Sequence, residues 1–458
     1  MANYGLSLML FRRDLRLQDN TALNAALSQS RQVLPLFIFD PKQLEPHPYF
    51  SAPALFFMLE TLEELTQHLR SFNSDLHLFK GSPATVLNQL RDSCSFDALF
   101  FNRDYTPFSR QRDETLCQLA DKWKLPCHIY GDSLLVEPEE IANAQGNPYR
   151  VFTPFYKRAK TLKVAPSAQL FGENFTKLNV GDSSLMSQLK TQTKSVPRPF
   201  FQGSRTQALS RLHACTSLTD YDKDRDFPAR QTSGLSAHLK FGTLSARELY
   251  HAIVRAFGAD HHIIKELYWR DFFTHVGHHF PHVFTGAFHA KYDAISWREE
   301  THTFAHWCAG QTGFPIVDAG MRQLNQTGYM HNRVRMITAS FLVKDLFIHW
   351  RWGEAYFASR LIDFDPCVNN GNWQWAASTG CDAQPYFRIF NPWAQQSKFD
   401  PEAEYIKAWV PELHSLSATQ IHRLHALDLG EAYRKPMLDH KLASGSVREA
   451  YRQALNSL

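Results

Sequence analysis

Two acids two residues apart, Asp363 and Asp365, lead directly into an Asn-Asn-Gly run at 369–371. Trp373 and Trp375 follow around a single glutamine, and Arg388 sits among aromatic residues shortly after. Carboxylates and amides can hydrogen-bond the edge of a flat heteroaromatic ring while indoles stack on a face. The stretch 361–392 therefore suits a site for such a ring better than it suits ordinary core. Three further clusters carry related chemistry. In TSGLSAHLKFGTLS (232–245) the hydroxyls of Thr232, Ser233 and Ser236 stand beside a glycine where a helix can begin. That arrangement suits an anion such as a pyrophosphate, although a plain helix cap is the simpler reading. In KELYWRDFF (265–273), Glu266, Trp269 and Arg270 share a helical face. They can read a base with a carboxylate and a ring, or form a surface ion pair beside a half-buried indole. In MHNRVRMITASFLVKDLFIHWRWG (330–353) the spacing predicts one long apolar helix, with Asn332, Arg333 and Arg335 near its start. Polar groups entering such a helix need partners, and Asp363 or Asp365 can serve Arg335. His275, His278, His279 and His282 also share a face, but Pro281 should end that helix near His279. Neither HExxH nor an acidic pair completes a site there, so no metal is expected.

The elements that must hold these clusters divide the chain. Residues 1–131 alternate apolar runs (5–11, 33–39, 75–79, 97–101, 127–131) with helical spacing around 20–30, 52–71, 83–93 and 108–124. This predicts a doubly wound, Rossmann-like parallel sheet covered on both faces. FRRDLRLQDN follows the first strand in place of a G-x-G-x-x-G turn, which disfavours dinucleotide binding there. Residues 132–205 read as an interdomain connector, rich in Ser, Thr, Lys and Pro from 163 onward. Residues 206–458 read as all-helical, with Ser245 capping ARELYHAIVRAF and Gly258 ending it. A chain of 458 residues is too long for one core of ordinary size. The net charge of +4 permits a nucleic-acid partner without demanding one. Seven scattered cysteines without C-x-x-C argue against a disulfide framework or an iron–sulfur cluster, and for thiols in a reducing cytoplasm. The N-terminus lacks the layout of a signal peptide, and no apolar run approaches the roughly 18 residues of a membrane span, so no membrane partner is expected. Nine of the ten tryptophans lie at or after position 269, so rings are handled in the helical half.

Taken in order, FRRDLRLQDN, DYDKDRDFPA, TSGLSAHLKFG, ELYWRDFF, GYMHNRVRM and LIDFDPCVNNGNWQW resemble the photolyase/cryptochrome flavoprotein family over essentially the whole chain. The resemblance implies an α/β domain and a helical domain (206–458) holding FAD. By matching motif, Tyr221, Thr232, Ser233, Gly234, Leu235 and Ser236 would hold the phosphates and ribityl chain. Arg335 would pair with Asp363 beside the flavin ring, Asp365 would hydrogen-bond its edge, and Phe364 would join the same contact. Asn369 would sit near N5, where an amide can both donate and accept. Trp373, Trp350 and Trp307 match a tryptophan chain that carries electrons from the surface to photoexcited flavin. Trp269 and Trp375 would wall a pocket for a flipped-out pyrimidine dimer, with Glu266 at its edge and Arg270 on the same face. Arg225, Asn332, Arg333, Met336, Arg388 and Gln395 would line the DNA side.

Enzymes for the six-four photoproduct carry histidines where this chain has Asn332 and Met336. The resemblance thus points to light-driven splitting of cyclobutane pyrimidine dimers by a class I photolyase, a carbon–carbon lyase acting on DNA as a monomer. A cryptochrome-type photoreceptor and a six-four enzyme are the alternatives. Folate-binding relatives carry Asn-Glu where Phe108-Ser109 stands, whereas Arg13, Asp40 and Asp104 resemble relatives that bind a deazaflavin. A deazaflavin-type antenna in the N-terminal domain is therefore expected over folate. Ala54 replaces a common arginine, which leaves an empty antenna site or another flavin open.

Overall fold

The computed structural model describes residues 2–193, 199–427, 430 and 432–456. Five strands, β1 (Tyr4–Phe11), β2 (Ser30–Phe39), β3 (His77–Lys80), β4 (Ala98–Asn102) and β5 (Cys127–Tyr130), form one sheet of order β3-β2-β1-β4-β5. All four pairings are parallel. The crossover helices Thr21–Gln29, Ala52–Arg70, Pro83–Ser93 and Pro107–Lys122 fall where the helical spacing predicts. Each begins at a side-chain cap (Asn20, Ser51, Ser82, Thr106) that accepts a first-turn backbone N–H. Separate apolar clusters cover the two faces of the sheet, as a parallel sheet requires.

The turn after β1 reaches the helical unit. Leu15 N–H donates to the Phe241 carbonyl at 3.0 Å, which ties this turn to the helical unit. Behind it lies a buried ion network. Asp132 accepts from Arg16 at 2.6 Å and Arg247 at 2.8 Å, and Arg247 also reaches Asp19 at 3.1 Å.

The connector is less loose than its composition suggests. Leu135, Val136, Phe152 and Phe155 are buried in a helical-unit core with Phe272 and Ile263. Farther on, Thr176 N–H donates to the Val33 carbonyl at 2.8 Å, which pins the polar stretch against β2.

From residue 206 on, the described residues are helices joined by turns. Ser245 and Glu248 form a reciprocal capping box at the start of Ala246–Phe257, and Gly258 follows its end. The helix His262–His279 stops just before Pro281, as expected. The predicted long helix over 330–353 is instead broken. Asn332–Ser340 is α-helical, Phe341–Asp345 widens into a π turn, and Phe347 takes a positive φ of 57° before Trp350–Arg360 begins. Burial of Lys344 and Asp345 accompanies the break. Lys344 Nζ donates to Ser378 Oγ at 2.9 Å, and Asp345 pairs with His440. Widening the turn lets both polar side chains find partners inside the core. Among the described residues no helix is long and apolar enough to cross a membrane, and no three His, Cys, Asp or Glu converge as a metal site.

Candidate flavin and lesion site

A cavity of about 480 Å³ opens in the helical unit. Its wall joins sequence-distant segments: Tyr221 with the loop 232–236, the helix bearing Glu266, Trp269 and Arg270, the helix start at Asn332, the run Asp363–Trp375, and, from the α/β unit and connector, Arg13, Asp104 and Ser133. Of the expected residues, Tyr221, Arg225, Thr232, Ser233, Gly234, Leu235, Ser236, Glu266, Trp269, Arg270, Asn332, Arg333, Arg335, Met336, Asp363, Asp365 and Trp375 all line it.

Local structure explains several placements. Gly234 has φ +59°, and a Cβ there would come within 2.7 Å of Arg211 Nη1, so the loop needs glycine. Arg335 forms a two-pronged pair with Asp363, at 2.8 and 3.1 Å, while its Nε donates to the Met330 carbonyl at 2.8 Å. Burial works against the Arg335 charge, but Asp363 more than offsets it, and the guanidinium is held more firmly charged than usual. Asp365 caps the helix Pro366–Ala377, accepting from Cys367 N–H at 3.0 Å and Val368 N–H at 3.1 Å. Its second oxygen accepts from Arg13. Burial alone would raise the Asp365 carboxyl; the Arg13 charge, with Lys240 behind it, holds it below the usual carboxylate range.

Two departures concern residues beside the cofactor region. Asn369 does not line the cavity, because its Nδ2 donates to the Glu354 carbonyl at 3.1 Å and the side chain is buried in the helix packing. Phe364 also lies off the wall, with its ring 5.9 Å from Tyr49. Arg13 and Asp104 line this cavity in the helical unit, 3.2 Å apart, and Asp40 caps the short helix Pro41–Leu44 by accepting from Lys42 N–H at 3.0 Å. Phe108 is solvent-exposed.

On the cavity wall formed by the helix His262–His279, Glu266 pairs with Arg225 at 2.6 Å. Burial raises the Glu266 carboxyl, and Arg225 only partly counters this. Trp269 stacks on Phe152 with ring centroids 3.5 Å apart and 7° between planes, so part of its ring surface is covered by the connector. Arg270 is held to the Ser133 carbonyl and to Asp271, at 3.3 Å. Arg333 pairs with Asp226 at 2.7 Å and lies over the Phe399 ring. Arg388 is exposed, and with Gln395 it lies outside the cavity.

The three expected tryptophans, Trp373, Trp350 and Trp307, are all buried. Trp307 and Trp373 meet edge to face at 6.2 Å, but Trp307 is fully buried and donates to the Thr338 carbonyl at 3.1 Å. Trp373 and Trp350 are buried too, so Trp307 cannot be the solvent end of a chain. Trp297 is half-buried; its ring lies 5.4 Å from His349, whose ring is 5.8 Å from Trp350. Only its polar neighbourhood, SWREE, hints at that position in the sequence. Lys240 is another residue sequence reasoning missed. It lines the cavity, and burial, reinforced by Arg13, lowers its ammonium to about 8.

The donor set fits a dinucleotide with an aromatic ring. Hydroxyls and a glycine turn stand on one wall segment, and carboxylates with a paired arginine on another. Arg270 Nε, His331 Nε2 and Arg333 Nε are buried at this wall with no hydrogen-bond partner in the protein.

Known proteins bear on this geometry. The family profile described as the FAD binding domain of DNA photolyase matches residues 263–453, and that described as DNA photolyase matches 7–170. The chain is 39% identical to the deoxyribodipyrimidine photo-lyase of Vibrio cholerae, covering 98% of this chain and all of the relative. It is 37% identical to that of Escherichia coli, covering 98% of both. Among solved structures, an archaeal photolyase from Sulfolobus tokodaii with two FAD molecules superposes with TM-score 0.89 at 42% identity, over 98% of this chain and 100% of that one. The chain belongs to the photolyase/cryptochrome flavoprotein family.

Proposed function

We propose that this chain is a light-driven deoxyribodipyrimidine photo-lyase that holds FAD in the 480 Å³ cavity and splits cyclobutane pyrimidine dimers flipped into its mouth. One observation carries the reading: a single cavity joins the hydroxyl loop, the Arg335–Asp363 pair, and the Glu266, Trp269 and Trp375 set. Reduced FAD, when bound and excited by light, supplies the electron that opens the cyclobutane ring. The protein's side chains do the rest. Thr232, Ser233 and Ser236, with Tyr221 and the backbone at Gly234 and Leu235, hold the phosphate and sugar portion. Arg335, Asp363 and Asp365 fix the ring, and Asn369 and Phe364 support that helix and its entry from behind the wall. Trp375 and the free surface of Trp269 stack on the lesion, Glu266 accepts from its edge, and Arg225, Arg270, Asn332, Arg333 and Met336 shape the mouth. Arg388 and Gln395, outside it, meet the DNA strand. Trp373, Trp350 and Trp307 form the buried part of an electron route.

Six-four chemistry needs an imidazole that changes protonation at the lesion. Asn332 and Met336 offer none, and His331 at this wall accepts the Arg333 N–H as a helix cap. Burial pushes His331 down to about 4, so it stays neutral at working pH. The working unit in this reading is one chain, since every named residue comes from it. A flavin-type antenna in the α/β domain, deazaflavin in preference to folate, now rests on Phe108 and Ser109 and on the Sulfolobus tokodaii relative's two FAD molecules.

The test is direct. Purified protein should carry FAD and, once reduced, should restore dimer-containing DNA under near-UV light. FAD-loaded protein that leaves dimers intact under illumination would refute the reading.

A further inference from the structure

In a doubly wound sheet the turn after the first strand ordinarily serves its own crevice. Here it reaches across to the helical unit. Arg13 Nε donates to the Lys240 carbonyl at 3.3 Å. Gly242, with φ +67°, allows that approach, because a Cβ there would collide with the Arg13 carbonyl oxygen. The Arg13 guanidinium then spans two acids. One nitrogen donates to Asp104 at 3.2 Å and the other to Asp365. All three residues, with Lys240 and Cys367, line the cavity.

We propose that Arg13, supplied by the α/β domain, is a positioning residue for the flavin site: it holds Asp365 ionised and oriented, and so sets the reduction potential of the bound cofactor. This rests on the reading of the cavity as the FAD site. The charges decide the direction. Arg13 and Lys240 act on both Asp104 and Asp365, Arg12 and Arg112 act on Asp104 as well, and the buried Cys367 thiol stays protonated because burial raises it well above its usual range. Without Arg13, Asp365 loses its nearer counter-charge and keeps Lys240, beside a ring that gains electrons on reduction. A less compensated buried carboxylate opposes that gain, and the effect is large where solvent is excluded. Asp365 also caps Pro366–Ala377, so the pair fixes the start of the helix that carries Trp373 and Trp375.

The test is spectroelectrochemical titration of FAD-loaded wild type, Arg13→Gln and Arg13→Lys at pH 6 and pH 8, with FAD retention and thermal unfolding measured alongside. Arg13→Gln should shift the oxidised-to-reduced equilibrium at least tenfold toward oxidised flavin at pH 8, about 30 mV downward for a two-electron couple. The gap from wild type should narrow at pH 6, as the freed carboxyl groups take up protons. Arg13→Lys, which keeps the charge, should recover most of it. An unchanged potential in Arg13→Gln, or no recovery in Arg13→Lys, overturns the proposal. Should Arg13→Gln fail to retain FAD, Asp365→Asn decides: loss of the anion must raise the potential, and an unchanged or lower value overturns the proposal. Wild-type protein that takes up no FAD would instead refute the cavity assignment itself.

Discussion

Replacing Trp375 with Ala isolates lesion stacking from folding. Trp375 is half-buried at the margin of the helical core and lines the cavity. Stacking of a base on an aromatic ring is worth about 1–3 kcal/mol, so Trp375→Ala should weaken binding of a dimer-containing duplex about 5- to 150-fold. Affinity for undamaged duplex, which rests on phosphate contacts, should hold within about twofold at the same salt concentration. Trp269→Ala should behave differently. Its ring stacks on Phe152 and lies 5.6 Å from Phe273, so truncation also opens packing between connector and helix. That adds about 3–5 kcal/mol of destabilisation to a similar binding loss. Fluorescence anisotropy with matched damaged and undamaged duplexes measures the first effect, and urea unfolding the second. The reasoning is refuted if Trp375→Ala binds dimer DNA as wild type does, or loses both duplexes equally. Trp269→Ala with wild-type stability would refute the packing half.

Glu266→Ala removes a partly exposed ion pair worth about 0–1 kcal/mol, so DNA affinity should fall by less than tenfold while repair per bound dimer falls more; equal losses would contradict its role at the lesion edge. Because burial raises that carboxyl, wild-type repair should decline on the acid side at a pH above the ordinary glutamate range, and Glu266→Gln should lack that limb. Trp297→Phe should slow photoreduction of bound flavin while leaving repair by chemically reduced protein intact; full-speed photoreduction would exclude Trp297 as the solvent end. Asp132→Ala leaves Arg16 without its carboxylate in a buried network, and urea unfolding should report a loss of about 3–5 kcal/mol. Burial alone would raise Asp132, but Arg16 and Arg247 bring it from 3.8 to about 2. A carboxyl lowered on folding stabilises above its unfolded pKa and loses that contribution as pH falls through the folded one. Wild type should thus lose on the order of 2 kcal/mol between about pH 4 and 2, and Asp132→Ala should not; parallel acid curves would sink the assignment.

The sheet was legible because its strands are apolar runs separated by capped helices, and local patterning alone specifies such units. That Arg335 needs a carboxylate was legible because a buried guanidinium cannot stay unpaired, but the residues alone left Asp363 and Asp365 both open, and the family resemblance singled out Asp363. What escaped was tertiary. No spacing reveals that Arg13 crosses from one unit to the other, since its partner Asp365 is distant in sequence. The break at 341–349 was hidden because Phe341, Leu342 and Val343 fit an apolar helix equally well, and only the partners of Lys344 and Asp345 favour a wider turn. Trp307 and Trp297 look alike in composition; solvent exposure, which a sequence does not carry, separates them.

The contact between Phe152 and Trp269 bears on where this protein can be cut. A fragment starting at residue 206 would keep the cavity wall from Tyr221 onward but not Arg13, Asp104, Tyr105, Ser133 or Leu134. It would lose Leu135, Val136, Phe152 and Phe155, which fill one side of the core behind Trp269. Any swap of α/β domains between relatives must therefore leave that strap with the recipient and bring in an arginine at the Arg13 position.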